Sequence, residues 1–111
     1  MDHDKILDQN ILAELVRLIV DKVHPLRIVL FGSAAAGEMD NNSDLDVLVI
    51  MPDGIHRRRT AQAIYRNLQG IGFAKDIIVV TANDVLEYGQ NPSLVLYPAL
   101  TKGKELYRAA G

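Results

Sequence analysis

The chain has 111 residues, of which 49% are hydrophobic, a formal net charge of -2 and no cysteine. This length predicts one domain over residues 1–111, and the lack of cysteine excludes disulfides, thiol nucleophiles and cysteine-bound metals. No apolar run reaches the ~18 residues of a membrane span, so we expect a cytoplasmic protein without a membrane partner. The acidic balance argues against nucleic acid as a partner.

The first predicted element is a helix over residues 4–22, where apolar residues recur at steps of three and four. His24 and Pro25 should end it, because the residue before a proline avoids the helical region. Short apolar runs rich in branched residues then predict three strands, at residues 26–31, 44–51 and 74–80, and residues 105–107 are expected to add a short edge strand.

The second half of the chain contains three further helical patterns. One helix is predicted over residues 55–69 by the spacing of its apolar positions. Thr81 and Asp84 match a capping box that opens a short second helix. The last helix is predicted over residues 93–102, and Pro98 inside it predicts a kink or an early break. The alternation of elements predicts an α/β or α+β sandwich of a small sheet with helices.

Three aspartates interrupt the apolar strands. Asp44 and Asp46 are separated by one residue, so the two-residue period of a strand places both carboxylates on one face. Either would cost several kcal/mol if buried without a partner, which predicts a nearby cation. If the third strand is a neighbour, Asp76 joins them. Three carboxylates suit Mg²⁺ or Mn²⁺, and two such ions would leave room for a polyphosphate.

The same three carboxylates have the arrangement that two-metal phosphoryl transfer needs, with Asp76 as the proton acceptor. Gly32 and Ser33 turn the chain just before them, and a strand, a turn and a helix start together form a cradle for phosphate. Each feature alone has a simpler explanation: a Gly-Ser pair is commonly only a turn, and an Asp-x-Asp pair is commonly solvated. Their combination favours the functional interpretation.

Two competing motifs fail on sequence. A Walker loop needs lysine after its second glycine, but Gly37 is followed by Glu38. A calcium loop starting at Asp40 would need glycine where Leu45 stands and glutamate where Met51 stands.

Gly32-Ser33, ten intervening residues and Asp44-Leu45-Asp46 resemble the Gly-Ser-x10-Asp-x-Asp pattern of the DNA polymerase beta-like nucleotidyltransferase superfamily. The resemblance extends from the first helix to the last and is closest to the minimal nucleotidyltransferase branch. It implies a mixed sheet of three to four strands with helices packed on it. It also implies catalytic metal ligands at Asp44, Asp46 and Asp76, and phosphate contacts at Gly32 and Ser33.

The resemblance further implies a Mg²⁺-dependent enzyme that moves a nucleoside monophosphate, AMP from ATP, onto a hydroxyl acceptor. Small members of this branch are often antitoxins paired with a helical HEPN-type toxin, and some attach AMP to it. Such a protein partner or a homo-oligomer would fit this short chain. The alternatives are a non-catalytic antitoxin that neutralises its partner by contact, and transfer to a small molecule or an RNA end.

One motif has no role in this hypothesis. Arg57, Arg58, Arg59 and Arg66 form a local basic cluster. They could contact a triphosphate or an acidic partner, or simply face solvent on a helix, and the sequence does not decide between these roles.

Overall fold

The computed structural model describes residues 9–32, 45–71, 75–91, 94 and 96–110. Over these residues the chain forms helices and strands in the order α1 (Gln9–Val23), β1 (Arg27–Phe31), β2 (Leu45–Met51), α2 (Arg57–Asn67), β3 (Lys75–Thr81), α3 (Ala82–Tyr88), α4 (Leu96–Lys102) and β4 (Lys104–Arg108).

The four strands form one open mixed sheet in the order β3-β2-β1-β4. β1 pairs antiparallel with β2 and with β4, whereas β2 and β3 are parallel and are joined by α2. A parallel pair needs such a crossover, because the chain must return to the end of the sheet where it began. The predicted mixed sheet of three to four strands with helices is confirmed.

Helices cover both faces of this sheet, which explains why the central strands are apolar on both sides. β2 is buried at six of its seven positions, and only Asp46 is half-buried. On one face, α1 and α2 contribute Leu15, Ile19 and Ile64 to the larger core cluster. On the other face, α3 and α4 cover a smaller cluster that contains Leu48, Ile50, Val80, Leu96 and Ala99. Each fully buried aliphatic side chain contributes roughly 1.5–3 kcal/mol.

The ends of the helices follow local chemistry. α1 ends at Val23, and His24 takes a positive φ of 52° before Pro25. α2 begins after His56, whose ring nitrogen accepts a hydrogen bond from the Arg59 N–H at 3.2 Å. No role was predicted for His56 from the sequence. The start predicted for the first helix lies in residues 1–8, outside the described residues.

The later helices test two predictions. The capping box of α3 is confirmed, with hydrogen bonds in both directions between Thr81 and Asp84. The predicted interruption by Pro98 is wrong in its position, because α4 begins only at Leu96. Pro98 therefore lies in the first turn, where a backbone N–H has no helical acceptor and its absence costs nothing. No helix of the described residues is long and apolar enough to cross a membrane.

Candidate active site

Three strand ends meet at one edge of the sheet. β1 ends at Phe31, β2 begins at Leu45 and β3 begins at Lys75. Phe31 pairs with Asp46 across the antiparallel ladder, and Asp46 pairs with Asp76 across the parallel one. The sheet therefore brings together two of the predicted aspartates that lie thirty positions apart in the sequence.

Asp46 and Asp76 lie directly opposite each other on neighbouring strands. Residues in register project to the same face of a sheet, from strands ~4.8 Å apart. This is the face with Leu48 and Ile50, which α3 and α4 cover farther along the strands. Asp46 is half-buried and Asp76 is exposed. Like charges directly opposite are destabilising, so this pair works against folding unless a cation offsets the repulsion.

Gly32 follows β1 and lies close to the Asp46 side chain. Its φ is +76°, in the left-handed region that favours glycine. A Cβ placed on Gly32 would overlap the carboxylate oxygen Oδ2 of Asp46. The absence of a side chain at position 32 therefore lets the backbone approach the Asp46 carboxylate. The sequence analysis assigned Gly32 to phosphate contact only.

The predicted site also contains Asp44 and Ser33, and both lie outside the described residues. Within the described part of the chain, no group of three or more histidine, cysteine, aspartate or glutamate side chains is placed to hold a metal ion. The two described members, Asp46 and Asp76, offer the carboxylate oxygens that Mg²⁺ and Mn²⁺ prefer, and their repulsion is of the kind that a divalent cation relieves. They fit part of such a site.

The opposite end of the same strands has a different arrangement of charge. The Asp84 carboxylate accepts hydrogen bonds from the Thr81 backbone N–H at 2.9 Å and from Arg57 Nη1 at 2.7 Å. The bond from the Thr81 N–H, reinforced by the Arg57 guanidinium, holds the pKa of Asp84 below its ordinary value. β2 is seven residues long, so its ends lie ~20 Å apart, and Arg57 pairs with Asp84 at the end away from Asp46. This placement does not favour a triphosphate contact for Arg57 at the Asp46 edge.

Tyr65 is a residue of this region to which the sequence analysis assigned no role. Its hydroxyl accepts a hydrogen bond from the backbone N–H of Ile77 at 2.8 Å. Ile77 follows Asp76 on β3, which is an edge strand of the described sheet. The bond ties α2 to the strand that holds Asp76. No sequence signal could reveal this hydrogen bond, because an exposed tyrosine on a helix looks the same in the sequence whether its hydroxyl bonds to the protein or to water.

The model of the family described as "Polymerase beta, Nucleotidyltransferase" matches residues 13–110 of the chain. The chain belongs to this nucleotidyltransferase family. The match covers every described strand and most of α1, so the recognition made from the Gly-Ser and Asp-x-Asp motifs is confirmed.

Several solved structures have the same fold as this nucleotidyltransferase. An inferred nucleotidyltransferase from Sulfolobus solfataricus aligns with a TM-score of 0.63 at 16% identity, over 96% of this chain and 85% of that one. A toxin-antitoxin complex with AMP-PNP aligns with a TM-score of 0.57 at 25% identity, over 93% and 75%. The toxin-antitoxin MntA-HepT aligns with a TM-score of 0.57 at 22% identity, over 92% and 74%. No curated protein matches the sequence.

Proposed function

We propose that this nucleotidyltransferase transfers AMP from ATP to a hydroxyl group of a partner protein, in a reaction that depends on Mg²⁺. The observation that carries the proposal is the register of Asp46 with Asp76, at the edge where Gly32 leaves β1. A family fold explains why the strands exist. The fold does not explain why two carboxylates lie opposite each other. Their mutual repulsion is unfavourable, and a bound metal-nucleotide complex would offset it.

The proposed metal ligands are Asp44, Asp46 and Asp76, with Mn²⁺ as an alternative to Mg²⁺ and two ions as the full complement. When bound, such ions neutralise charge on the transferring phosphate and on the leaving pyrophosphate. Gly32 and Ser33 are proposed to contact the phosphates through backbone N–H groups and a hydroxyl.

In the proposed reaction the acceptor oxygen attacks the α-phosphorus of ATP. A new P–O bond forms as the bond between the α-phosphorus and the oxygen bridging to the β-phosphate breaks, and pyrophosphate leaves. The proton of the acceptor hydroxyl passes to a carboxylate, for which we propose Asp76. Its exposure allows an acceptor from outside the chain to approach it.

The choice of ATP and of a protein acceptor is supported by the solved relatives. One is a toxin-antitoxin complex that contains AMP-PNP, and another is the MntA-HepT pair. We propose a HEPN-type partner for this chain, because small members of the branch that its motifs resemble are often paired with such a protein. Transfer within a homo-oligomer is the competing arrangement, and it would label the chain itself.

Transfer is tested with α-labelled ATP, Mg²⁺ and the protein that copurifies with this chain, followed by intact-mass measurement. We expect the partner to gain one AMP. Asp46→Asn and Asp76→Asn should each lose transfer by at least about 100-fold, because each removes a group proposed to act on the reacting phosphate.

The matched control is Asp21→Asn, which removes an exposed carboxylate from α1. It should transfer AMP at the normal rate. Full transfer by both Asp46→Asn and Asp76→Asn would refute the proposed site. Neutralisation of the partner by a chain that never transfers AMP would favour a non-catalytic antitoxin, and label on RNA or a small molecule would refute the acceptor.

A further inference from the structure

The arginines of this chain fall into two groups. Of the seven in the sequence, four contact a carboxylate at 2.6–2.8 Å, namely Arg17, Arg27, Arg57 and Arg108. The other three form no ion pair within the described part of the chain, and all three are exposed on α2, namely Arg58, Arg59 and Arg66.

Stability of α2 does not account for this group. The helix, RRRTAQAIYRN, contains no acidic residue that could offset the three guanidinium groups. Arg58 and Arg59 lie in its first turn, where the helix dipole already provides positive charge and a cation is unfavourable. The free chain therefore keeps a concentration of positive charge on one helix that its own folding does not favour.

The same exposed face contains an aromatic residue near the end of β3 that holds Asp76. Tyr65 is 39% exposed, and its hydroxyl bonds to Ile77, the neighbour of Asp76. Arg66 is next to it in the helix, while Arg59 lies two turns earlier, about 10.5 Å along the axis. The cations thus form a stripe along the outer side of α2 that ends beside the strand bearing Asp76.

We propose that this stripe, formed by Arg58, Arg59, Arg66 and Tyr65, is a docking surface for an acidic segment of a partner protein, with carboxylates about 10 Å apart. The proposal concerns binding and does not depend on the transfer reaction. Guanidinium groups bind carboxylates through two parallel hydrogen bonds, which favours arginine over lysine at such surfaces.

Two observations favour protein over nucleic acid as the occupant. The chain has a net charge of -2, so its overall field disfavours a long nucleic acid more than a short acidic segment that contacts the stripe alone. The cations of the stripe are all arginines and lie beside a half-exposed tyrosine, and these two residue types are enriched in protein interfaces, where lysine is depleted.

The test is a titration of the ¹⁵N-labelled chain with a ten-residue glutamate peptide at low salt, without nucleotide, followed by NMR. We expect the amide signals of α2 to shift and binding to weaken as salt rises to about 0.15 M, since exposed pairs are screened. Arg59→Gln with Arg66→Gln should weaken binding roughly fivefold, because each exposed pair contributes a factor of about 1.5 to 5.

The matched control is Arg17→Gln with Arg108→Gln, which removes the same charge from two exposed arginines that already have partners. It should leave binding unchanged, and circular dichroism should show both double variants folded. Shifts absent from α2, or equal loss of binding in the control, would overturn the proposal. A ten-nucleotide RNA that displaces the peptide from α2 would overturn the choice of a protein partner.

Discussion

Carboxylates at the two ends of the β2-β3 pair have different surroundings. Beyond the Thr81 end, Asp84 accepts hydrogen bonds from a backbone N–H and from the Arg57 guanidinium, so its charge is compensated within the chain. At the other end, Asp46 and Asp76 stand opposite each other in register. One end thus matches charge with its opposite, whereas the other sets like charges together.

This difference separates an acid whose contacts explain its presence from the two acids proposed for function. A carboxylate that caps a helix stabilises the fold, and its contacts explain its presence. Two carboxylates in register repel each other, so this pair is not explained by the contact between its own members, and it is the pair proposed to bind metal. The comparison therefore predicts different consequences for equivalent changes at the two ends.

The largest difference is expected from two glycine substitutions. Gly32→Ala and Gly54→Ala each place a side chain at a positive φ, of 76° and 94°, and should each lose roughly 1–3 kcal/mol of stability. Only Gly32→Ala also pushes against the Asp46 carboxylate. Because a displacement of ~1 Å in a reacting group can cost about 100-fold, we expect that loss of AMP transfer from Gly32→Ala alone.

Gly54 is a matched control, since a Cβ there would meet nothing within 4 Å. Urea unfolding measures the shared strain, and transfer from α-labelled ATP measures the local effect at temperatures where both variants are folded. Equal transfer by the two variants would show that contact between Gly32 and Asp46 has no catalytic consequence.

Much of the fold followed from local patterns. The strand period placed Asp46 on one face, and the start of the third apolar run placed Asp76 near the same end. The pattern could not specify that Asp46 and Asp76 lie in register, because register depends on how α2 returns the chain to the sheet. The hypothesis required the second and third strands to be neighbours, and the sheet order shows that they are.

Apart from the local His56 cap, the contacts that sequence reasoning missed are long-range. The closeness of Gly32 to Asp46 depends on the antiparallel pairing of β1 with β2, and the bond from Ile77 to Tyr65 depends on the packing of α2. In the sequence, Arg57 is one of four arginines with no distinguishing feature. Only its hydrogen bond to Asp84, 27 positions later, distinguishes it from the others. Local periodicity describes one element at a time and cannot encode such pairs.

A smaller effect is expected from Tyr65→Phe, which sharpens the description of the Asp76 end. The change removes the acceptor of the Ile77 N–H, and leaving a donor without its partner at a largely buried residue costs about 1–3 kcal/mol. Urea unfolding should show this loss, and the Ile77 amide should exchange its hydrogen faster.

Tyr97→Phe is the control, because no hydrogen bond of the Tyr97 hydroxyl occurs within the described residues. It should leave the free energy of unfolding within about 0.5 kcal/mol of the original value. If Tyr65→Phe is equally silent, water satisfies the Ile77 N–H and α2 does not restrain β3 through this bond.

The smallest effect is expected at the compensated end, from Asp84→Asn. Its side chain keeps the shape and an acceptor oxygen but loses the charge, and its arginine partner is exposed, so the cost at neutral pH should be about 1 kcal/mol. The Thr81 N–H bond and Arg57 lower the pKa of Asp84, so the unfolded chain binds a proton more readily than the folded one. The contribution is therefore complete above about pH 4 and is lost as pH falls through the lower, folded-state pKa.

Urea unfolding of both proteins from pH 7 down to about pH 3 measures this difference. The two free energies of unfolding should converge in acid, because the native Asp84 then also becomes neutral. Arg57→Gln should reproduce only part of the loss, since the Thr81 N–H remains as a donor. A gap that stays constant down to pH 3 would mean that the Asp84 charge does not stabilise this end. The Asp84 end and the Asp46–Asp76 end would then differ in the arrangement of their charges but not in a measured contribution to the free energy of unfolding.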